Sequence, residues 1–262
     1  MTSKDDNGEA EGLLKPFLDH LDDLRRALVW SIGALLAGMG VATLLAPRVL
    51  EVLKAPLKTV VADPNTFLRT LDITGGVSVA MQTILWGGIL ISAPLVLIAL
   101  AWFIFPGLTR PERRSVLAGL GFAAGLFVVG VGLCYCFALA PALKIMLWFN
   151  EWMGIPVEYV TVTSYVGFVL KLLLSFGLTF ELPIVILVLG RLGIISSSQL
   201  RDKRRHAIVA ILILAMVITP TQDPFSQLIL AVPLIVLYEI CIWLVWAREH
   251  RVKNQYYPTR KK

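Results

Sequence analysis

The sequence is short of charge. Only 16% of its 262 residues are Asp, Glu, Lys or Arg, against roughly 25% in soluble domains. With 57% hydrophobic residues and a mean hydropathy of +0.76, the chain has too little polar surface to face water. That excludes a soluble enzyme and a disordered chain. Cysteine is scarce as well. Cys134, Cys136 and Cys241 all fall in apolar runs, without CxxC spacing or a His neighbour. A disulfide scaffold is excluded, and small buried hydrophobes are expected instead. The three histidines, His20, His206 and His250, lie outside the apolar runs, so no Ser–His pair can form at membrane depth. There is no GxxxxGK[ST], no HExxH and no Asp following a Gly, which removes a nucleotide-driven step and the usual intramembrane protease signatures. No catalytic residue, metal or cofactor is expected. The N-terminus is acidic and polar through Glu11, so a cleavable signal is not expected either.

Long apolar runs are what the chain does have. A bilayer core of roughly 30 Å needs about 20 apolar residues in a helix. Six candidates emerge: Ala27–Ala46, Val79–Phe105, Val116–Leu139, Tyr165–Gly190, Ala207–Thr219 and Phe225–Trp246. The fifth rises only about 20 Å and cannot cross an undistorted bilayer. Segments on one side of these spans carry 18 Lys and Arg, those on the other carry 5, and Lys171 lies within a span. The bias places both termini in the cytoplasm and accounts for the net charge of +6 without a nucleic-acid partner. Trp148 and Trp152 then mark the outer interface, with Trp30 and Trp246 near the inner one.

The fold class that follows is an all-α integral membrane protein with six transmembrane helices, N-in and C-in. Leu13 to Leu28 has apolar residues at helical spacing and predicts an amphipathic helix on the cytoplasmic surface before the first span. Val49, Leu50, Val52 and Leu53 predict a short interfacial helix on the outside. Residues 1–12 read as a flexible acidic N-terminus, 13–248 as one membrane domain and 249–262 as a basic cytoplasmic tail.

Ionisable groups at membrane depth are costly and point to function. Glu181 lies deep in the fourth span, before Pro183, which cannot donate to the carbonyl of Thr179 and predicts a kink. Lys171 can snorkel outward from the same span. Glu239, in the last span, either snorkels inward or pairs with another helix. The hairpin Thr219-Pro-Thr-Gln-Asp-Pro-Phe-Ser-Gln227 follows the short fifth span. It places Asp223, Gln222 and Gln227 near the depth of lipid tails, either in a wet cavity or under a thinned bilayer. On the cytoplasmic side, Asp19, Asp22, Asp23 and Glu112 punctuate basic surfaces. Local pairing, Asp22 with Arg26 and Glu112 with its neighbours, explains them singly. Two separated carboxylates can also receive two guanidinium groups, because the Arg fork matches a carboxylate bidentately.

At these residues the chain resembles a family. His20-Leu-Asp-Asp-Leu-Arg-Arg26 is similar to the HLxELR motif ahead of the first span in TatC, the multispanning core of the twin-arginine translocase. Ala55-Pro-Leu57, Pro106 through Pro111-Glu-Arg-Arg114, Ser175-Phe-Gly through Phe180-Glu-Leu-Pro183, and Thr219-Pro with Asp223-Pro-Phe-Ser-Gln227 also resemble that family's motifs, in order along residues 13 to 248. The resemblance implies a receptor for twin-arginine signal peptides of folded cargo in the bacterial inner membrane. It implies single-span TatB- and TatA-like partners, several copies in one complex and transport driven by the proton motive force. It places the contacts to the signal-peptide arginines at Asp23 and Glu112, with Arg25, Phe103, Leu108 and Arg110 around them. Asp23 stands where the family has Glu and reaches one methylene less, so either the helix sits closer or Asp22 shares the contact. The resemblance also marks Glu181 as the intramembrane acid and Asp223 and Gln227 as partner contacts. Two other classes compete. A small secondary carrier would use Glu181 and Asp223 as proton or cation sites, and a structural subunit would use its acids only for packing.

Overall fold

The computed structural model describes residues 6–104, 110–155, 157–191, 195–218 and 224–256; of residues 6–20, 101, 102, 104, 110–120, 191, 218, 226 and 251–256 it describes the backbone alone. Helix α1 (Asp6–Lys54) is followed by a 3-10 turn (Pro56–Thr59), α2 (Pro64–Phe67), β1 (Leu68–Arg69) and α3 (Gly75–Gln82). A π-helical segment, Thr83–Gly87, joins α3 to α4 (Gly88–Ile104). Helix α5 (Arg110–Leu133) passes through a second π segment, Cys134–Ala138, into α6 (Leu139–Trp152). Strand β2 (Val160–Thr161), α7 (Val162–Thr179), α8 (Leu182–Arg191), α9 (Ser197–Asp202), α10 (Arg204–Ile218) and α11 (Pro224–Tyr256) complete the chain.

Among the described residues, five helical stretches are long and apolar enough to cross a bilayer: Leu21–Thr59, Gly75–Leu100, Gly121–Trp152, Val162–Gly190 and Gln227–His250. The expected fifth span falls in α10, which is shorter than these. Two other expectations change. The amphipathic N-terminal segment is helical, but α1 runs unbroken from Asp6 to Lys54, so this segment prolongs the first span instead of folding flat. Val49–Leu53 likewise ends α1 and does not form a separate helix. The third span also runs on, through Pro141 to Trp152. Pro141 has no N–H for the carbonyl of Phe137, and the wider turn at Cys134–Ala138 lies where that bond is missing. Gly154, at φ 73°, closes α6 in the left-handed region that glycine tolerates, with Ile155 N–H donating to Asn150 O at 2.9 Å.

The core centres on α7. Val166, Val169, Leu170, Leu172 and Phe176 are all buried, among the α5, α3 and α11 side chains around them. Close helix approach is set by small residues. A Cβ on Gly38 would lie 2.6 Å from Gly88 O, and one on Gly130 would lie 2.7 Å from the Phe180 ring. At one end of the bundle Tyr135 and Tyr165 donate to the carbonyls of Val52 and Leu53, at 2.8 and 2.6 Å, beside the last turn of α1, where Val52 O also accepts from Ala55 N–H. There too β1 and β2 pair in parallel, Leu68 with Val160 and Arg69 with Thr161, and Arg69 lies 5.5 Å from the centre of the Tyr159 ring. Cys136 is exposed on the surface of its helix, contrary to the expected burial; Cys134 and Cys241 are buried.

Candidate functional site

The carboxylates singled out in the sequence lie at two places. Asp22, Asp23 and Arg25 sit on α1 at the end of the bundle that carries the basic segments. Asp22 and Arg25 are exposed and Asp23 is half-buried. Asp22, Arg25, Arg26, Val29 and Trp30 line a recess of about 430 Å³. The expected Asp22–Arg26 ion pair is absent, since the described residues hold a single ion pair and it lies elsewhere. Asp22 is therefore open to a ligand.

The crossing of α1 and α4 fixes what stands beside this group. The two helices run antiparallel in contact, with Gly38 against Gly88 and Ser92. Counting equal helix rise from that contact, about 20 Å in each direction, brings Arg25 level with Phe103 in the last turn of α4. Phe103 is half-buried. Arg110 opens α5 and Glu112 lies in its first turn; the side chains of both, and Leu108 altogether, lie outside the described residues.

The second place is the break between α7 and α8. Phe180 N–H bonds back to Phe176 O at 3.0 Å and Glu181 N–H to Leu178 O at 3.1 Å. Helix then resumes at Leu182 with Pro183 in its first turn, where a missing N–H is harmless. The kink expected from Pro183 is thus a full interruption. Glu181 Oε1 and Thr179 Oγ1 are both buried at this break with no hydrogen-bond partner in the structure. Unsatisfied polar atoms of this kind favour a ligand, a proton or a water there. Phe127 and Phe180 wedge the break in place. Phe180 lies over Gly130 of α5, and the Phe127 ring lies over Gly177 of α7.

Other expected positions are distributed differently. Gln227 donates from Nε2 to Leu212 O at 2.8 Å, tying α11 to α10. Asp223 lies outside the described residues. Phe225 lies 5.8 Å from the Phe149 ring of α6, centre to centre. Lys171 holds its Nζ 5.2 Å from the centre of the Trp86 ring. Glu239 pairs with Arg204 of α10 at 2.8 Å. Among the described residues no three His, Cys, Asp or Glu side chains come together to hold a metal ion.

Sequence reasoning missed a set of contacts between α9 and α11. Glu249 accepts from Ser197 N–H at 2.9 Å and from the Ser197 hydroxyl, and Tyr238 Oη donates to Leu200 O at 2.9 Å. The signal that could have found them is Ser196-Ser-Ser-Gln199, a capping box that opens a helix inside an apparent loop.

Comparison with known proteins places these features. The family model for Sec-independent protein translocase protein (TatC) matches residues 19–233. The TatC protein of Aquifex aeolicus is 36% identical over 229 residues, covering 87% of this chain and 94% of that one. That of Deinococcus radiodurans is 34% identical over 234 residues, covering 87% and 85%. A solved structure described as the twin arginine translocase receptor TatC in DDM superposes with a TM-score of 0.75 at 36% identity, covering 86% of this chain and 98% of that one. With the family model spanning most of the chain and relatives matched along nearly their whole length, this protein belongs to the TatC family.

Proposed function

We propose that this protein is the signal-peptide receptor and assembly core of a twin-arginine translocase, a transport component and not an enzyme. One observation carries the reading. The α1–α4 register stands Asp22, Asp23 and Arg25 level with Phe103, one short loop before Arg110 and Glu112. Carboxylates on two helices at one end of the bundle suit a peptide that presents two adjacent arginines. The names of its relatives support the same reading.

In this reading six spans cross the bacterial inner membrane with both termini in the cytoplasm. Residues 13–248 form one membrane domain, and 249–262 form its basic tail. Glu181, Asp223 and Gln227 face single-span TatB- and TatA-like partners, several copies assemble, and the proton motive force drives transport.

The test is crosslinking of a twin-arginine signal peptide to photoreactive probes beside Asp23 and Glu112, with a Lys-Lys peptide as control. Strong crosslinks that vanish with Lys-Lys are expected. Equal or absent crosslinks on folded protein would demote the carboxylates to surface pairing. The buried, unpartnered Oε1 of Glu181 favours one alternative, a small secondary carrier that also uses Asp223. That reading requires solute flux in vesicles holding this chain alone, whereas the receptor reading predicts none.

A further inference from the structure

The hairpin of α10 and α11 has a smooth antiparallel register. Gln227 bonds to Leu212, Glu239 to Arg204 and Glu249 to Ser197. The register continues through α9, so α9 is not a separate loop helix. Lys203 N–H bonds to Gln199 O at 3.1 Å and Ala207 N–H to Lys203 O at 2.9 Å. The chain therefore bends by one residue at Lys203 and carries on, and α9 and α10 together run alongside α11. From Glu239 to Glu249 is about 15 Å of helix rise. The bend thus stands that far along α11 from the start of α9.

This places charge at an unusual depth. Gly190, at the end of α8, packs against Val245, where a Cβ would lie 3.3 Å from Val245 Cγ2. Trp243 and Trp246 stack edge to face at 6.2 Å, and Trp246 lies against His250 at 4.4 Å. Arg248 and this aromatic stripe mark the polar boundary of the bundle on its basic side. Glu239 lies about 9 Å to the core side of Val245. Arg204 cannot snorkel away from that level, because Glu239 holds its guanidinium. Around the pair, Arg201, Lys203, Arg205 and His206 are all exposed, and none of them is in an ion pair. Asp202 is the one exposed carboxylate among them, and Glu249 is engaged by Ser197. Three cations with one opposing acid, set below a tryptophan belt, call for an anion that reaches in from the membrane surface.

We propose that the bend at Lys203 binds the phosphate of an anionic phospholipid from the leaflet on the basic side. Arg201, Lys203 and Arg205 supply the donors, Arg forks matching phosphate oxygens bidentately. Trp243, two-thirds exposed and one helical turn from Glu239, lies against the glycerol region.

Native mass spectrometry of the full chain, purified with equal amounts of phosphatidylglycerol and phosphatidylcholine, tests this. R201Q/K203Q/R205Q is compared with R48Q/K58Q/K144Q, which removes three exposed cations at the opposite end. Retained phosphatidylglycerol is expected to fall roughly tenfold or more in the first variant, each cation near an anionic surface contributing about fivefold. It should change little in the second, and phosphatidylcholine should change in neither. An equal fall in both variants, or no fall in the first, overturns the site. Displacement of the lipid by excess inorganic phosphate overturns the assignment to lipid. Should the triple variant fail to fold, K203Q alone is read against the wild type, with a loss of about fivefold expected.

Discussion

Phe127 and Gly177 are fitted to one another: a Cβ on Gly177 would stand 2.5 Å from Phe127 Cε2, and Phe127 is 2% exposed. The ring cannot withdraw, because Gly130 one turn along receives Phe180 in the same interface. Gly177→Val is therefore expected to lower stability by about 1–3 kcal/mol through overpacking. Phe127→Leu should relieve part of that loss. A double-mutant cycle on the thermal midpoint of the purified protein reads the coupling, and additive effects would contradict the fit.

Gly38 makes a second prediction. Its backbone meets Gly88 and Ser92 at the crossing that sets the α1–α4 register. Gly38→Leu should push the helices apart and shift the register that stands Arg25 level with Phe103. The thermal midpoint of the purified variant should fall, and an unchanged midpoint would contradict the close approach at this crossing.

On the receptor reading, Glu112→Lys abolishes crosslinking to an Arg-Arg peptide while the protein still inserts and accumulates. Loss of one partner of a close charge pair costs about 2–5 kcal/mol, which is more than thirtyfold in affinity. Normal export by that variant at native abundance would contradict the role.

Glu181→Gln should act at a different step. It keeps size and polarity and removes the ionisable carboxyl, so peptide crosslinking near Asp23 is expected to persist while recovery of the assembled complex falls. Loss of peptide binding with intact folding would reverse this order.

The contact between Glu249 and Ser197 yields a local prediction. Glu249→Ala leaves the Ser197 N–H and hydroxyl, both in a largely buried residue, without their acceptor. Such a loss costs about 1–3 kcal/mol. Hydrogen exchange at residues 197–200 should quicken by tenfold or more, while exchange in α7 stays unchanged.

Much of this was legible in the residues. The apolar runs gave the helices because only internally bonded backbone survives in lipid. Pro183 announced the break at Phe180–Glu181 because it lacks an N–H. The pairing of Glu239 was legible as an option, yet its partner was not, since Arg204 lies 35 residues away in a stretch that hydropathy reads as loop. Arg201, Lys203, Arg204 and Arg205 in the same stretch hid the continuity of α9 with α10. The Asp22–Arg26 spacing predicted a bond that an exposed helix surface has little reason to hold. Nothing in the composition announced the two-residue pairing of β1 and β2, whose register depends on helices far apart in the chain.

That pairing has a consequence for synthesis. Leu68 and Val160 are 92 residues apart, and Gln82 meets Gly167 across a similar gap. A ribosome adding about 5–20 residues per second needs roughly 5–18 seconds to deliver the second strand after the first. Throughout that interval α3 and α4 must wait beside α1 with one flank uncovered. The early helices then depend on the Gly38–Gly88 contact, or on the insertion machinery, until α7 arrives.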